Sequence, residues 1–363
     1  MKVIVLGGAG NFGARIVRAL QHDAGVELFV AGRRAAVVSG AETVPAVALD
    51  LNGPGFAEQL RALSPGLVIH CAGPYQGQDY RVALAALAAG AHYLDIADGR
   101  QFVAGFQGQV QAEAVSSVRI AVSGASTLPG LSSAVAEHLR VGLTRLDSIE
   151  VVIAPGQLAP RGAATLAGVF SYLGRNFRVW REGQWSSACG WMDLRRAQLD
   201  IGDRWAAACD VPDLALFPEH FVGVQEVQFH AALEFRVQHV LLWTLAALRR
   251  VGMQLPVERW AEGLNSVARA FDFLAGDQGG MSVSVVGSRG TGGRVRRTWQ
   301  LTAPALHGPE IPCMAAILLA RRIARATMIQ SAALPCLGLL TLTDFEPEFA
   351  RWGINTRIEE AAA

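Results

Sequence analysis

Lysine is almost missing from this chain. Lys2 is the only one in 363 residues, although lysine and arginine together number 32. That scarcity excludes a Schiff-base nucleophile, a lysine general base and a Tyr-x-x-x-Lys dyad anywhere beyond the first strand. Paired cysteines are missing as well. Cys71, Cys189, Cys209, Cys313 and Cys336 are scattered, which excludes a CxxC zinc or redox site and speaks against a disulfide framework. A reduced, cytoplasmic protein is the expectation. There is no basic block: 32 basic residues face 31 acidic ones for a net charge of +1, so no nucleic-acid partner is expected. No apolar run is long enough to span a membrane. Val240–Leu248, between His239 and Arg249-Arg250, is too short for that and reads as a buried helix. Val3–Leu6 is too short for a signal segment and leads straight into glycines, so it reads as a first strand.

What is present is apolar and periodic. Hydrophobic residues make up 51% and charged residues 17%, the composition of a packed globular protein long enough for two domains. Up to about residue 130, short β-rich runs alternate with helical patterns: Val3–Leu6, Glu27–Ala31, Ala46–Leu51, Leu67–Cys71, His92–Ile96 and Arg119–Ser123 read as six strands. That rhythm predicts a Rossmann doubly wound parallel sheet. Near Ser148 the texture changes, and all eight tryptophans lie beyond residue 179. Met281–Val286, the turn Gly287–Gly293 and Arg294–Leu301 read as a β-hairpin, and Leu233–Leu274 as mainly helical. The expected division is a first domain of residues 1–130, with 311–363 packing back on it, and an α+β domain of residues 131–310.

The first strand runs into Gly7-Gly8-Ala9-Gly10-Asn11-Phe12-Gly13. A diphosphate needs main-chain N–H groups aimed at it, and glycine lets the backbone approach closely at the start of a helix. Gly7, Gly8, Gly10, Asn11, Phe12 and Gly13 are therefore the candidate cradle. The loop lacks the Gly-Lys-Ser/Thr ending of a P-loop. Strand two ends Val30-Ala31-Gly32-Arg33-Arg34, without the acid that binds the ribose hydroxyls of NAD. Arg33 and Arg34 instead suit a 2′-phosphate, so NADP is favoured, with NAD as the alternative. Asp50 either accepts from the adenine amino group or caps the next turn. Cys71, Ala72, Gly73 and Pro74 follow strand four and would run past the cofactor. Tyr75, Asp95 and Asp98 sit on the same edge as candidate catalytic groups, each with a packing or loop-capping alternative. The turn at Pro129-Gly130 either faces the ligand or simply starts a helix. Arg161, Arg175 and Arg178 are candidate anion contacts, the tryptophans of 180–205 a candidate cavity lining or dimer contact, and His70, His92, His138 and His307 read as structural.

The chain resembles the saccharopine dehydrogenase-like oxidoreductases. The resemblance rests on the Gly7–Gly13 loop, Cys71-Ala72-Gly73-Pro74-Tyr75, Gly90-Ala91-His92-Tyr93-Leu94-Asp95, Leu128-Pro129-Gly130-Leu131, His307-Gly308-Pro309-Glu310-Ile311-Pro312 and Pro335-Cys336-Leu337-Gly338-Leu339-Leu340. It implies a nicotinamide-binding domain, an inserted α/β domain and C-terminal helices that return to the first domain. Where many relatives carry a Thr-Gly-Glu-like turn, this chain has Ala97-Asp98-Gly99-Arg100. The expected function is NADP(H)-dependent hydride transfer on a small organic substrate, in a homodimer. The alternatives are a sensor or scaffold that binds NADP(H) without turnover, and a lyase or synthase that holds the cofactor tightly.

Overall fold

The computed structural model describes residues 1–160, 168–253, 255–257, 260, 263, 266, 269, 272–290, 292–304, 306–328 and 330–363. Arg161 and part of the expected helical stretch Leu233–Leu274 lie outside these residues. The chain begins with β1 (Lys2–Leu6), α1 (Asn11–Leu20), β2 (Glu27–Gly32), β3 (Ala46–Ala48) and α2 (Phe56–Ala62). Next come β4 (Leu67–His70), α3 (Arg81–Ala88), β5 (His92–Asp95), α4 (Arg100–Ser116), β6 (Ala121–Ser123) and α5 (Ser132–Arg140). Strands β7 (Arg145–Ala154), β8 (Asn176–Arg181), β9 (Gln184–Cys189), β10 (Arg195–Ala197) and β11 (Arg204–Ala208) follow, then α6 (Asp213–His220), β12 (Glu226–Ala232) and α7 (Arg236–Arg250). The chain ends with β13 (Gly279–Ser288), β14 (Arg294–Ala303), α8 (Ile311–Ala324), β15 (Ala333–Pro335), α9 (Leu342–Arg351) and β16 (Asn355–Ala362).

Two compact units result. The first comprises Met1–Leu131 with Glu310–Leu340, and the second Ser132–Pro309 with Thr341–Ala363. The first unit holds a seven-stranded sheet in the order β15-β6-β5-β4-β1-β2-β3, every pair parallel. A strand covered by helices on both faces needs a continuous apolar run rather than an alternating one. Ile4, Val5, Val68 and Ile69 supply it at full burial. The α1 helix turns Ile16, Val17 and Leu20 inward, the stripe its 3.6-residue spacing implies.

The second unit holds a nine-stranded mixed sheet, with the path β10-β11-β12-β7-β13-β14-β16 and the β8–β9 hairpin attached through β12. The hairpin read from sequence is β13–β14, in register from Gly279↔Ala303 to Ser288↔Arg294.

Three expectations change. Residues 311–363 do not all return to the first unit. Glu310–Leu340 does, and supplies a seventh strand, β15, parallel to β6, whereas Thr341–Ala363 belongs to the second unit. There β16 pairs antiparallel with β14, covering backbone groups that would otherwise leave β14 an open edge. Strand three stops at Ala48, leaving Leu49 buried and Asp50 exposed in a turn. Finally, α7 is not a buried helix: Val237, Val240, Leu241 and Trp243 face solvent.

Candidate functional site

In the first unit, β1 lies between β2 and β4, so the chain must cross back over the sheet after β3. A crevice opens at the carboxyl ends of the strands at such a reversal, and ligands of doubly wound sheets lie there. The turn at the end of β1 is built for close approach. Gly7 has φ +74°, and a Cβ there would sit 3.0 Å from both the Cys71 carbonyl carbon and the Ala72 nitrogen. A Cβ on Gly13 would land on the Gly7 carbonyl oxygen, with Gly8 Cα 2.7 Å away. Only hydrogen fits at either position. Gly7 N–H donates to Ala31 O at 2.7 Å and Gly10 N–H to Gly7 O at 2.9 Å, which closes the turn against β2. Gly10 caps α1 without a side-chain hydrogen bond, and no acid stands in the first helical turn. The first N–H groups of α1 have no acceptor within the helix, and the positive end of its dipole lies at this turn. Ala9 and Gly10 are exposed at this mouth.

Arg33 and Arg34, just beyond β2, are both exposed, and neither is ion-paired with a carboxylate among the described residues. Asp50 spends one carboxylate oxygen on its own turn, accepting from Asn52 N–H at 3.0 Å. On the other side of β1, Cys71 N–H donates to Leu6 O at 2.8 Å, so Cys71, Ala72, Gly73 and Pro74 run beside the glycine turn. Gln78, which the sequence reading passed over, donates to Ala72 O at 2.9 Å and Pro74 O at 2.7 Å and fixes that segment. Burial and the neighbouring Asp95 push the Cys71 thiol far above its ordinary range, so it is not a nucleophile at neutral pH.

Two of the three candidate catalytic groups are turned inward. Tyr75 is buried, and its hydroxyl donates to His70 O at 2.7 Å, with its ring edge-on to His70 and against Phe102. It packs under the turn rather than facing a ligand. Asp95 is fully buried. Its Oδ1 accepts from Gly124 N–H at 2.7 Å, Ala97 N–H at 3.0 Å and the Ser123 hydroxyl at 3.0 Å. One carboxylate oxygen thereby joins the end of β5 to the end of β6. Desolvation raises its pKa to about 6 against these hydrogen bonds, and Oδ2 has no partner among the described residues. Asp98 alone of the three is exposed, its Oδ1 3.4 Å from Gln76 Nε2, which donates to it.

His70, expected to be structural, forms a buried pair with Tyr93 beside Asp95. His70 Nδ1 lies 3.1 Å from the Tyr93 hydroxyl, and burial lowers the His70 pKa to about 4, so the ring is neutral at pH 7. Its Nε2 has no partner among the described residues. A polar residue closing an otherwise apolar strand, as in Leu67-Val-Ile-His70, was the available signal. The other histidines serve the framework: His92 Nδ1 accepts from Ile120 N–H at 3.1 Å, and His307 Nδ1 lies 2.9 Å from Trp352 O. In the second unit Trp180 and Trp185 stack edge-on across the β8–β9 hairpin, with the Arg178 guanidinium over Trp185.

A seven-stranded parallel sheet with a glycine turn between its first strand and first helix is a Rossmann fold. The chain is similar in structure, along most of its length, to solved dehydrogenases and a synthase. Saccharopine dehydrogenase (L-Glu forming) from Saccharomyces cerevisiae aligns with a TM-score of 0.70 over 99% of this chain and 100% of that one, at 13% identity. Homospermidine synthase from Legionella pneumophila, solved in complex with NAD, gives 0.63 over 100% and 91%, at 9% identity. The DAP dehydrogenase of C. glutamicum, solved with DAP, gives 0.50 over 95% and 98%, at 15% identity. At these identities the likeness is one of fold. No family model matches the chain, and no curated protein matches it.

Proposed function

We propose that the chain is an NADP(H)-dependent oxidoreductase acting on a small organic substrate. The observation that carries this reading is the mouth of α1: a turn only glycine can form, opening on a helix end with neither a side-chain cap nor an acid. Gly7, Gly8, Gly10, Asn11, Phe12 and Gly13 would hold the diphosphate through main-chain N–H groups. Arg33 and Arg34 would hold a 2′-phosphate, since guanidinium groups suit a dianion and no acid stands in their place to bind free ribose hydroxyls. Cys71, Ala72, Gly73 and Pro74 would flank the nicotinamide half, and Asp50 would border the adenine. When bound, the nicotinamide supplies or accepts the hydride. This chain's residues place it, exclude water and move the accompanying proton, for which Asp98 is the accessible candidate. The fold is shared with two proteins named as dehydrogenases and with a synthase solved with NAD, which supports the same reading. Five free thiols fit a cytoplasmic location.

A titration with NADPH and NADH tests the cofactor choice. Wild type is expected to bind NADPH at least ~10-fold more tightly, and Arg33→Gln with Arg34→Gln to erase the difference, since each charged hydrogen bond contributes about 1.5–3 kcal/mol. Equal affinities in wild type would remove the NADP assignment. The second reading, a sensor that binds NADP(H) without turnover, is favoured by the burial of Tyr75 and Asp95. Oxidation of NADPH by any member of a carbonyl, imine and enoyl panel decides against it.

A further inference from the structure

The α7 helix packs on its unit through Gln238, His239 and Ala246 with the half-buried Leu242 and Leu245, and still leaves apolar side chains facing outward. Its buried residues are Gln238, His239 and Ala246, two of the three polar. Facing out are Val237 (55% exposed), Val240, Leu241 and Trp243. Val237, Val240, Leu241 and Thr244 follow the i, i+3, i+4, i+7 spacing, so they form one stripe along the helix. Exposed apolar residues also lie near both ends. Val251 beyond the C-terminus is 78% exposed, and Phe273 and Leu274, in the short helical turn Asp272–Leu274, are 81% and 62% exposed. That turn is tied beside the start of α7 through Gln157. Its Nε2 donates to Asp272 Oδ1 at 3.0 Å, and its N–H donates at 3.0 Å to Oε2 of Glu234, two residues before α7. Glu234 Oε1 also accepts from Gly276 N–H at 2.6 Å, so both carboxylates are engaged by protein groups. Contiguous exposed apolar surface of this kind marks an interaction site.

Charge selects the occupant. The sequence of α7, RVQHVLLWTLAALRR, contains no acid. Arg236 opens the helix and Arg250 closes it, both exposed, with Arg249 beside the latter. In a twofold contact between two copies, an antiparallel crossing sets Arg236 against Arg249 and Arg250 of the other copy. A parallel crossing sets like against like along the whole helix. Either arrangement brings guanidinium to guanidinium with no carboxylate on the helix to separate them. An apolar stripe ending in arginines, with tryptophan on the same side, instead matches a helix lying in the plane of a lipid interface. We infer that the outer face of α7, with Phe273 and Leu274, docks this protein peripherally on an anionic lipid surface. The helix lies on that surface rather than crossing it, and no helix among the described residues is long and apolar enough to span. The inference stands apart from the dinucleotide reading, because every residue it uses is in the second unit.

The test is co-sedimentation of the full chain, without cofactor, with vesicles of phosphatidylcholine alone or mixed with phosphatidylglycerol. Binding is expected to the mixed vesicles and to weaken with salt. Arg250→Gln is expected to lower the partition coefficient by ~5-fold. Val240→Ser with Leu241→Ser is expected to lower it by ~10-fold or more, with an unchanged melting temperature because these side chains already face water. In vesicles carrying brominated acyl chains, tryptophan fluorescence should be quenched in wild type and markedly less in Trp243→Phe. Failure of wild type to sediment with mixed vesicles overturns the inference. So does sedimentation that the paired serine variant leaves unchanged. A paired serine variant that converts a solution dimer to monomer also overturns it, because a second copy would then cover the stripe.

Discussion

The glycine turn yields two substitutions that separate packing from ligand approach. Gly13→Ala puts a methyl carbon onto the Gly7 carbonyl oxygen, with Gly8 Cα at 2.7 Å and Gly7 C at 2.9 Å. All three neighbours are backbone, so no side chain can swing aside. Overpacking of that kind costs about 1–3 kcal/mol, or ~3–10 °C in the melting midpoint of the first unit. Gly10→Ala is different. Its φ is −76°, open to any residue, and the nearest atom to its Cβ is Gly7 O at 3.1 Å. The residue is exposed, so the new methyl projects at the mouth rather than into the core. Replacing a glycine N-cap by alanine costs about 1 kcal/mol or less. If a diphosphate lies against this turn, however, the methyl displaces it from main-chain N–H groups, and loss of even one charged hydrogen bond weakens binding by ~10-fold or more. The assay is thermal unfolding with and without NADPH. Ligand at ~100 times its dissociation constant stabilises by about 2.7 kcal/mol, and a tenfold loss of affinity removes about 1.4 kcal/mol of that. Gly10→Ala should therefore melt near wild type without cofactor and gain roughly half as much with it. A Gly10→Ala protein that gains the full wild-type increment would refute the placement of the diphosphate.

Three further substitutions test the buried carboxylates. Asp95→Asn keeps one oxygen to accept from Gly124, Ala97 and Ser123, so it should fold and melt close to wild type, whereas Asp95→Ala leaves those donors without their acceptor and should lose about 3 kcal/mol or more in denaturant unfolding. Should Asp95→Asn hold its fold and bind cofactor yet lose turnover, Asp95 would be the proton carrier and its loop-holding role incomplete. In the second unit, burial pushes Asp213 up to about 7, only partly offset by the Ser132 hydroxyl. Between pH ~4 and ~7 the unfolded chain ionises this group while the folded chain keeps it protonated, so its own contribution to stability falls as pH rises, by up to about 4 kcal/mol. Asp95 adds a contribution of the same sign, and the buried His70 and His239 add opposite ones, all common to wild type and variant. Asp213→Asn should remove the Asp213 contribution, and urea unfolding at pH 4, 5.5 and 7 reads it. Parallel pH profiles for the two proteins would show that Asp213 ionises freely in the folded state.

How far the sequence announces this site depends on whether a residue acts through the backbone or through its side-chain direction. The Gly7–Gly13 turn was legible because its constraint is local: a positive φ at Gly7 and a hydrogen-only contact at Gly13 can be satisfied by one residue type, and the spacing records it. The strands were legible because burial on both faces demands runs such as Val3–Leu6 and Leu67–Ile69. Tyr75 and Asp95 were correctly placed at strand ends, yet sequence position there does not fix which way a side chain turns. Their inward orientation depends on where the chain folds back, Tyr75 onto the His70 carbonyl five residues before it and Asp95 onto Gly124, and no residue pattern encodes either direction. The same holds for β15, whose three residues become a strand only because β6 offers a free parallel edge. The α7 helix shows the converse. Its apolar run Val240–Leu248 was plain in the sequence, and the usual inference from such a run is burial. Only the structure shows Gln238 and His239 inward and Val240 and Leu241 outward, which makes the stripe a surface that needs a partner. Periodicity reports that a helix has two faces; which face meets the protein is decided by what else the chain supplies to cover it.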